Sequence, residues 1–250
     1  MKTIVITSQK GGSGKTTLAA HLAVEAERIG DSPSWLIDTD KQGTLSLWHE
    51  RRESDTPQRA DVPFARLAGG LKLLQDQGAA YCFIDTPPTI SEQNVSILGL
   101  ADLVLIPVRP SPADLWAVSE TVTLVKEASK PFLFVITQAK AQASITAQTI
   151  AALSEHGRVA QSFIADRVPY AMAMTNGRTA PEIAPKSSAA LEIAALWLDV
   201  KSRFQENMKA AKILRSVVNG LGCCPVRCRS CTGETAHHEC HAPTWCCAFR

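Results

Sequence analysis

Lys10-Gly11-Gly12-Ser13-Gly14-Lys15-Thr16-Thr17 follows directly on the run Thr3-Ile4-Val5-Ile6-Thr7 and opens a segment, Thr16 to Arg28, with helical spacing through Leu18, Leu22 and Ala26. A β-branched strand, a glycine-rich loop and a helix in that order make a phosphate-binding turn. Gly11, Gly12 and Gly14 let the backbone curl until its amides point inward, and the helix starting near Lys15 adds the positive end of its dipole beneath the same cavity. Lys15 is placed to neutralise charge between the outer phosphates of a nucleoside triphosphate, and the Thr16 hydroxyl to ligate a magnesium ion.

Two further stretches carry acids to the same rim. Ser34-Trp35-Leu36-Ile37-Asp38-Thr39-Asp40 and Tyr81-Cys82-Phe83-Ile84-Asp85 are apolar and then acidic, so their carboxylates emerge at the C-terminal edge of a parallel sheet, where ligands bind in open α/β folds. Beside a magnesium triphosphate, Asp85 is expected to hold the metal's water shell and Asp40 to orient or activate the attacking water. A lone strand-terminal Asp is more often a helix cap or turn residue; the joint occurrence with the loop favours chemistry. The fold expected is a P-loop α/β domain, a mostly parallel twisted sheet flanked by helices on both faces.

With these residues in view, the chain resembles the ParA-type partition ATPases, in the short, ParF-like form of the deviant Walker A (ParA/MinD) superfamily. The matching stretches are Lys10 to Thr17, Ile37-Asp-Thr-Asp-Lys-Gln42, Phe83-Ile-Asp-Thr-Pro-Pro88 and Leu105-Ile-Pro-Val-Arg-Pro-Ser-Pro-Ala-Asp-Leu-Trp116. A weaker one, Arg167 to Met174 before a Gly177 turn, resembles the segment preceding the family's last helix. The resemblance implies ATP with Mg2+, a homodimer that sandwiches two ATP molecules, and a first lysine, here Lys10, that reaches across to the partner's phosphates. It further implies nonspecific DNA binding by the ATP dimer, a centromere-binding adaptor of the ParB/ParG kind, and slow hydrolysis that times the switch. The site so implied comprises Lys10, Gly11, Gly12, Ser13, Gly14, Lys15, Thr16 and Thr17 on ATP, Lys10, Lys15 and Asp40 in turnover, and Thr16 and Asp85 on the metal. Thr137 and Pro169, with Gln138 and Val168 beside them, are expected near the adenine.

The family's second acidic stretch usually reads Asp-x-Asp-Pro-Gln, and Lys41 stands here in place of the proline. The loop thereby loses a fixed φ and gains a donor near the phosphates. Residues 107–112, with three prolines, read equally as a stiff strand-to-helix connection and as the part of the sandwich interface that the resemblance implies.

The 250 residues are 45% hydrophobic, enough for one sizeable core, and strands and helices alternate through residue 206. Strands are expected near 3–7, 34–38, 81–85, 102–108, 131–137 and 158–164. Helices are expected near 15–29, 42–53, 63–77, 91–100, 113–129, 143–156 and 187–206, with residues 54–63 an exposed polar loop. The N-terminus enters a core strand at once and no apolar run approaches the roughly 18 residues of a membrane span, so a cytoplasmic, nucleoid-associated location is expected and membrane binding is not.

Composition changes after residue 206. The expected division is an ATPase domain over 1–206 and a basic, Cys/His-rich extension over 207–250, read as disordered. Lys209, Lys212, Arg215, Arg227, Arg229 and Arg250 face only Glu234 and Glu239 there, and Arg167, Arg178, Lys186, Lys201 and Arg203 lie just upstream, a basic balance suited to DNA backbones. Seven of the eight cysteines lie between 223 and 247 with three histidines among them. Cys228-x-x-Cys231 with Cys240 or His241 has the donors of a zinc knuckle but not the spacing of a known one. Phe204, Met208, Ile213, Leu214, Val217, Val218 and Leu221 lie among basic residues, as in an interfacial helix, which supports the alternative of a MinD-like ATPase switching on a membrane surface. A nitrogenase-reductase-like role needs cluster cysteines inside the fold, where only Cys82 stands.

Overall fold

The computed structural model describes residues 1–89, 91–140 and 144–220. The expectations for the cysteine- and histidine-rich extension lie outside the described residues, as do those for the apolar side chains from Ile213 onward. The chain divides into two units, Met1–Met208 and Lys209–Arg250. The described part of the second unit, Lys209 to Gly220, is helical.

In the first unit, six parallel strands form one sheet in the order β3-β2-β4-β1-β5-β6. They are β1 (Lys2–Ile6), β2 (Ser34–Asp38), β3 (Gln58–Arg59), β4 (Tyr81–Asp85), β5 (Leu103–Val108) and β6 (Phe132–Ile136). All six residues of β5 are buried, as expected of a parallel strand covered on both faces. Ile4, Ile6, Phe83 and Leu105 point into one layer with Leu18, Leu22, Trp48 and Trp197. Val5, Ile84, Val104 and Phe134 point into the other with Leu71, Ile97 and Val122. The helices are α1 (Lys15–Arg28), α2 (Thr44–Glu50), α3 (Leu67–Asp76), α4 (Glu92–Gly99), α5 (Pro112–Glu127), α6 (Ser144–Ser154), α7 (Val168–Thr175), α8 (Ala180–Ile183) and α9 (Ser188–Gly220).

The register brings Ile6, Asp85 and Asp38 level at the C-terminal rim, since Ile6 pairs with Asp85 and Asp38 with Asp85 across neighbouring strands. The loop after β1 therefore lies beside the acidic end of β4, with that of β2 one strand further on.

Three elements differ from the sequence expectation. Residues 158–164 do not form a strand; Val159 makes an isolated bridge to Phe134 of β6, and Ala165, just past the run, makes one to Ala139 beyond β6. Ala160 N–H donates to the Phe134 carbonyl and Ile164 N–H to that of Ile136, so four residues answer two and the middle bulges out. The Ser162 N–H and hydroxyl donate instead to Asp199, at 2.9 and 2.6 Å. The 54–63 loop carries the short β3, paired to β2 at Trp35 and Leu36. Between residues 167 and 184 the chain forms α7 and α8, the latter fixed by a Thr179–Glu182 capping box.

Candidate nucleotide site

Gly12 and Gly14 hold left-handed φ angles of 72° and 91°, which only glycine adopts without strain. Gly14 caps α1 with no side-chain bond, so the first amides of that helix are left to the cavity. The buried Lys15 ammonium donates to the Ser8 and Lys10 carbonyls, both at 3.1 Å, across the mouth of its own loop. Burial lowers its pKa while Asp85 and Asp40 oppose the shift. Lys10, half-exposed at the start of the loop, makes no side-chain hydrogen bond or ion pair among the described residues.

The Thr16 hydroxyl donates to Asp85 Oδ2 at 2.5 Å. Asp85 is 1% exposed and its Oδ1, like the Ser13 hydroxyl, is buried without a hydrogen-bond partner. Burial pushes the Asp85 carboxyl up to about 7, with Asp38 and Asp40 adding and Thr16 and Lys15 opposing. An orphaned buried acceptor beside a threonine hydroxyl is costly unless something binds there. The pair fits a hydrated divalent cation, whose ligands are hard oxygens. The glycine cradle, the helix N-terminus and Lys15 fit phosphates.

Asp40 sits in the turn after β2, and Asp38, which the sequence reading left without a role, fixes that turn. Its Oδ1 accepts the Asp40 N–H at 3.0 Å, and its Oδ2 the Ser46 N–H and hydroxyl at 2.9 and 3.1 Å. Arg59 on β3 donates to the Ser46 hydroxyl at 2.9 Å. The Thr39 hydroxyl donates to the Asp85 carbonyl at 2.7 Å, joining the two acidic strand ends. Lys41 is exposed.

Beside the loop lies a cavity of about 180 Å3, lined by Gly14, by Thr17 and Leu18 of α1, by Thr137 and Gln138 after β6, and by residues 164–167, 170 and 171. Its mixed apolar and polar lining suits a heterocyclic base. Thr137 is buried with its hydroxyl on the Ser13 carbonyl at 2.8 Å, and Gln138 donates to the Gly12 carbonyl at 2.7 Å. Pro169, the second residue of α7, does not line this cavity; with Val168, Ser187 and Ser188 it lines an adjoining depression that shares Asp166 and Arg167 with it. Tyr170 and Arg167, which the sequence reading did not single out for the base, also line the cavity, and the Tyr170 hydroxyl and Arg167 both donate to Glu192.

The backbone that follows α7 is anchored to α2, the helix after Asp40. Trp48 of α2 donates to the Arg178 carbonyl at 3.1 Å, and Arg52, stacked over Trp48, donates to the Gly177 carbonyl at 2.8 Å and to Glu182 at 2.9 Å. His21, wholly buried on α1, takes the Ala180 N–H on Nε2 at 3.1 Å and donates from Nδ1 to the Thr17 carbonyl at 2.8 Å.

Residues 4–219 match the model of the CobQ/CobB/MinD/ParA nucleotide binding domain. The chain belongs to this family. It is 27% identical over 244 residues to the chromosome-partitioning ATPase Soj of Thermus thermophilus, covering 82% of this chain and 98% of that one. Against the maintenance of carboxysome distribution protein A of Halothiobacillus neapolitanus it is 30% identical over 135 residues, which cover 51% of this chain and 60% of the relative. A match to a protein ParA of Rhizobium radiobacter, 30% identical, likewise spans 57% of the relative's length. The fold is shared with apo McdA of Cyanthece, at TM-score 0.65, 22% identity and coverage of 81% and 99% of the two chains. It is also shared with MinD of Pyrococcus horikoshii complexed with Mg-ADP, at TM-score 0.68, 18% identity and coverage of 80% and 95%.

Proposed function

We propose that the chain is a Mg2+-dependent ATPase that dimerises around ATP, binds DNA without sequence preference as that dimer, and hydrolyses ATP to segregate a plasmid or chromosome. The observation that carries the reading is the contrast between the two loop lysines. Lys15 is latched by its own loop, whereas Lys10 stands at the rim with no side-chain partner among the described residues, free to reach the phosphates of a second copy.

Thr16 and Asp85 are the residues that would hold the magnesium ion, which when bound screens phosphate charge. Lys15 places its charge at the outer phosphates, and Asp40, held by Asp38, orients the water that attacks the terminal phosphorus. A lysine lent across the interface stabilises the same charge as an arginine finger does. Hydrolysis then removes the group that both copies grip, and the dimer loosens. Names among the relatives support a positioning role: Soj is a chromosome-partitioning ATPase and the carboxysome proteins maintain a cargo's distribution. An adaptor protein of the ParB/ParG kind would couple turnover to the cargo.

The basic residues divide in a way that bears on DNA. Arg167, Arg178, Lys201 and Arg203 form ion pairs with Glu192, Glu53, Asp31 and Glu206, so their net contribution to a positive face is small. The contacts in this proposal fall to Lys186 and to the basic residues from Lys209 onward, each phosphate neutralised adding to a salt-sensitive affinity. Against the membrane alternative, Phe204 is 7% exposed in the core and does not face outward. No helix of the described residues is long and apolar enough to cross a membrane.

The test is light scattering with ATP together with co-sedimentation on DNA and on anionic liposomes. Lys10→Ala is expected to bind ATP yet stay monomeric and lose DNA. A dimer persisting in that variant overturns the cross-subunit role, and binding to liposomes alone overturns the DNA reading in favour of a membrane-surface switch.

A further inference from the structure

Arg109 follows β5 and enters the proline-rich turn. Its Nε donates to Asp114 Oδ2 at 2.7 Å and its Nη2 to Oδ1 at 2.9 Å, while its backbone N–H donates to Oδ2 at 3.2 Å. Asp114 is 3% exposed, and its own N–H is held by the Ser111 cap of α5 at 3.2 Å. The fork thus consumes one edge of a planar guanidinium whose geometry is fixed by the pairing. The other edge has no hydrogen-bond partner among the described residues. Its Nη1 lies 3.6 Å from the point a Cβ on Gly12 would occupy, over the phosphate loop. From the other side Gln138 braces the Gly12 carbonyl.

The position along the loop says which phosphate this edge meets. The base-sized cavity is lined by Gly14, Thr17 and Leu18 and by neither Gly12 nor Arg109. A nucleotide with its base there runs its phosphates away from Gly14, so that Gly12 and Arg109 stand at the far end of the chain. We propose that Arg109 is a phosphate-contacting residue acting within its own subunit: its free guanidinium edge, preset by Asp114, reads the terminal phosphate and so discriminates triphosphate from diphosphate. The inference rests on the assignment of residues 10–17 as the phosphate site. It adds a third cation to Lys10 and Lys15, one that is oriented by the first turn of α5 before any ligand arrives.

The test is titration of the full-length chain with methylanthraniloyl-ATP and methylanthraniloyl-ADP, each with magnesium, alongside thermal melting. Arg109→Gln is expected to weaken ATP binding by about ten-fold, the scale of one charge-assisted hydrogen bond, and to leave ADP binding within about two-fold. Asp114→Asn, which frees the fork, is expected to lose part of the same preference. An ATP-to-ADP ratio in Arg109→Gln equal to that of the wild type overturns the proposal. Should that variant not fold, Arg109→Lys decides: a single ammonium tied to Asp114 leaves nothing for the phosphate, so an unchanged ratio overturns the proposal there too. Lys15→Ala separates the two levels. Retained ATP binding in Lys15→Ala sinks the phosphate-site assignment itself, whereas lost binding there with an unchanged ratio in Arg109→Gln sinks the Arg109 role alone.

Discussion

In the proposed mechanism Asp40 orients the attacking water, and the turn that carries it is held by Asp38, whose carboxylate ties the Asp40 N–H to the start of α2. Asp40→Ala is expected to bind ATP within a few-fold of the wild type and to lower hydrolysis by about 100-fold or more, as loss of a water-positioning group does. Single-turnover phosphate release beside a binding titration checks it, and normal release removes Asp40 from the mechanism. His21 is a second residue whose environment has a measurable consequence. Its two hydrogen bonds require a neutral ring with the proton on Nδ1. Burial pulls its pKa down to about 4, opposed by the Thr17 carbonyl and Glu182. The folded value lies below the unfolded value near 6.5. The unfolded chain therefore gains the proton first as pH falls, and stability present above about pH 6.5 is lost toward pH 4, by about 3 kcal/mol in full. Chemical denaturation of the nucleotide-free chain across that range should show the loss, and His21→Gln should flatten it. A variant as acid-sensitive as the wild type would place the effect in other groups.

At the scale of elements, Gly177 is where the chain leaves little room. Its φ is +67°, and a Cβ there would press into the backbone of Arg51 and Arg52. Gly177→Ala is expected to cost about 2 kcal/mol or more, since strain and overlap with unyielding backbone add; urea unfolding measures it. How legible such elements are in a sequence depends on whether their causes are local. The five longer strands were readable because both faces are covered and the apolar runs are unbroken. β3 was not, because Gln58-Arg59 has no strand character and exists by pairing with β2. The 158–164 run has strand composition, yet Asp199, distant in sequence, draws Ser162 out of the ladder. α7 opens on Val168-Pro169, which reads as a breaker although proline fits a first helical turn. In the site, the loop and its two acids could be read from spacing. Asp38 and Arg109 could not, because an acid before a turn and an arginine among prolines look like solvated charges until their partners Ser46 and Asp114 are seen.

Across the whole nucleotide-binding unit, the segment after α7 and the turn that carries Asp40 are not independent. α2 begins at Thr44, four residues after Asp40, and its Trp48 and Arg52 hold the Gly177–Arg178 backbone that follows α7. Trp48→Ala removes a fully buried side chain, its hydrogen bond and the surface on which Arg52 stacks. It is expected to destabilise the fold by about 3–5 kcal/mol and, in whatever fraction stays folded, to weaken nucleotide affinity and turnover together. Calorimetry with steady-state kinetics checks this; a variant slowed in turnover with unaltered affinity would show that the tie carries no load. Selection acting on such a molecule meets a constraint. A drift that reshapes the segment behind α7 also tugs on the helix that follows Asp40, so in the proposed mechanism how tightly a subunit holds its fuel and how long it waits before burning it are inherited as one trait.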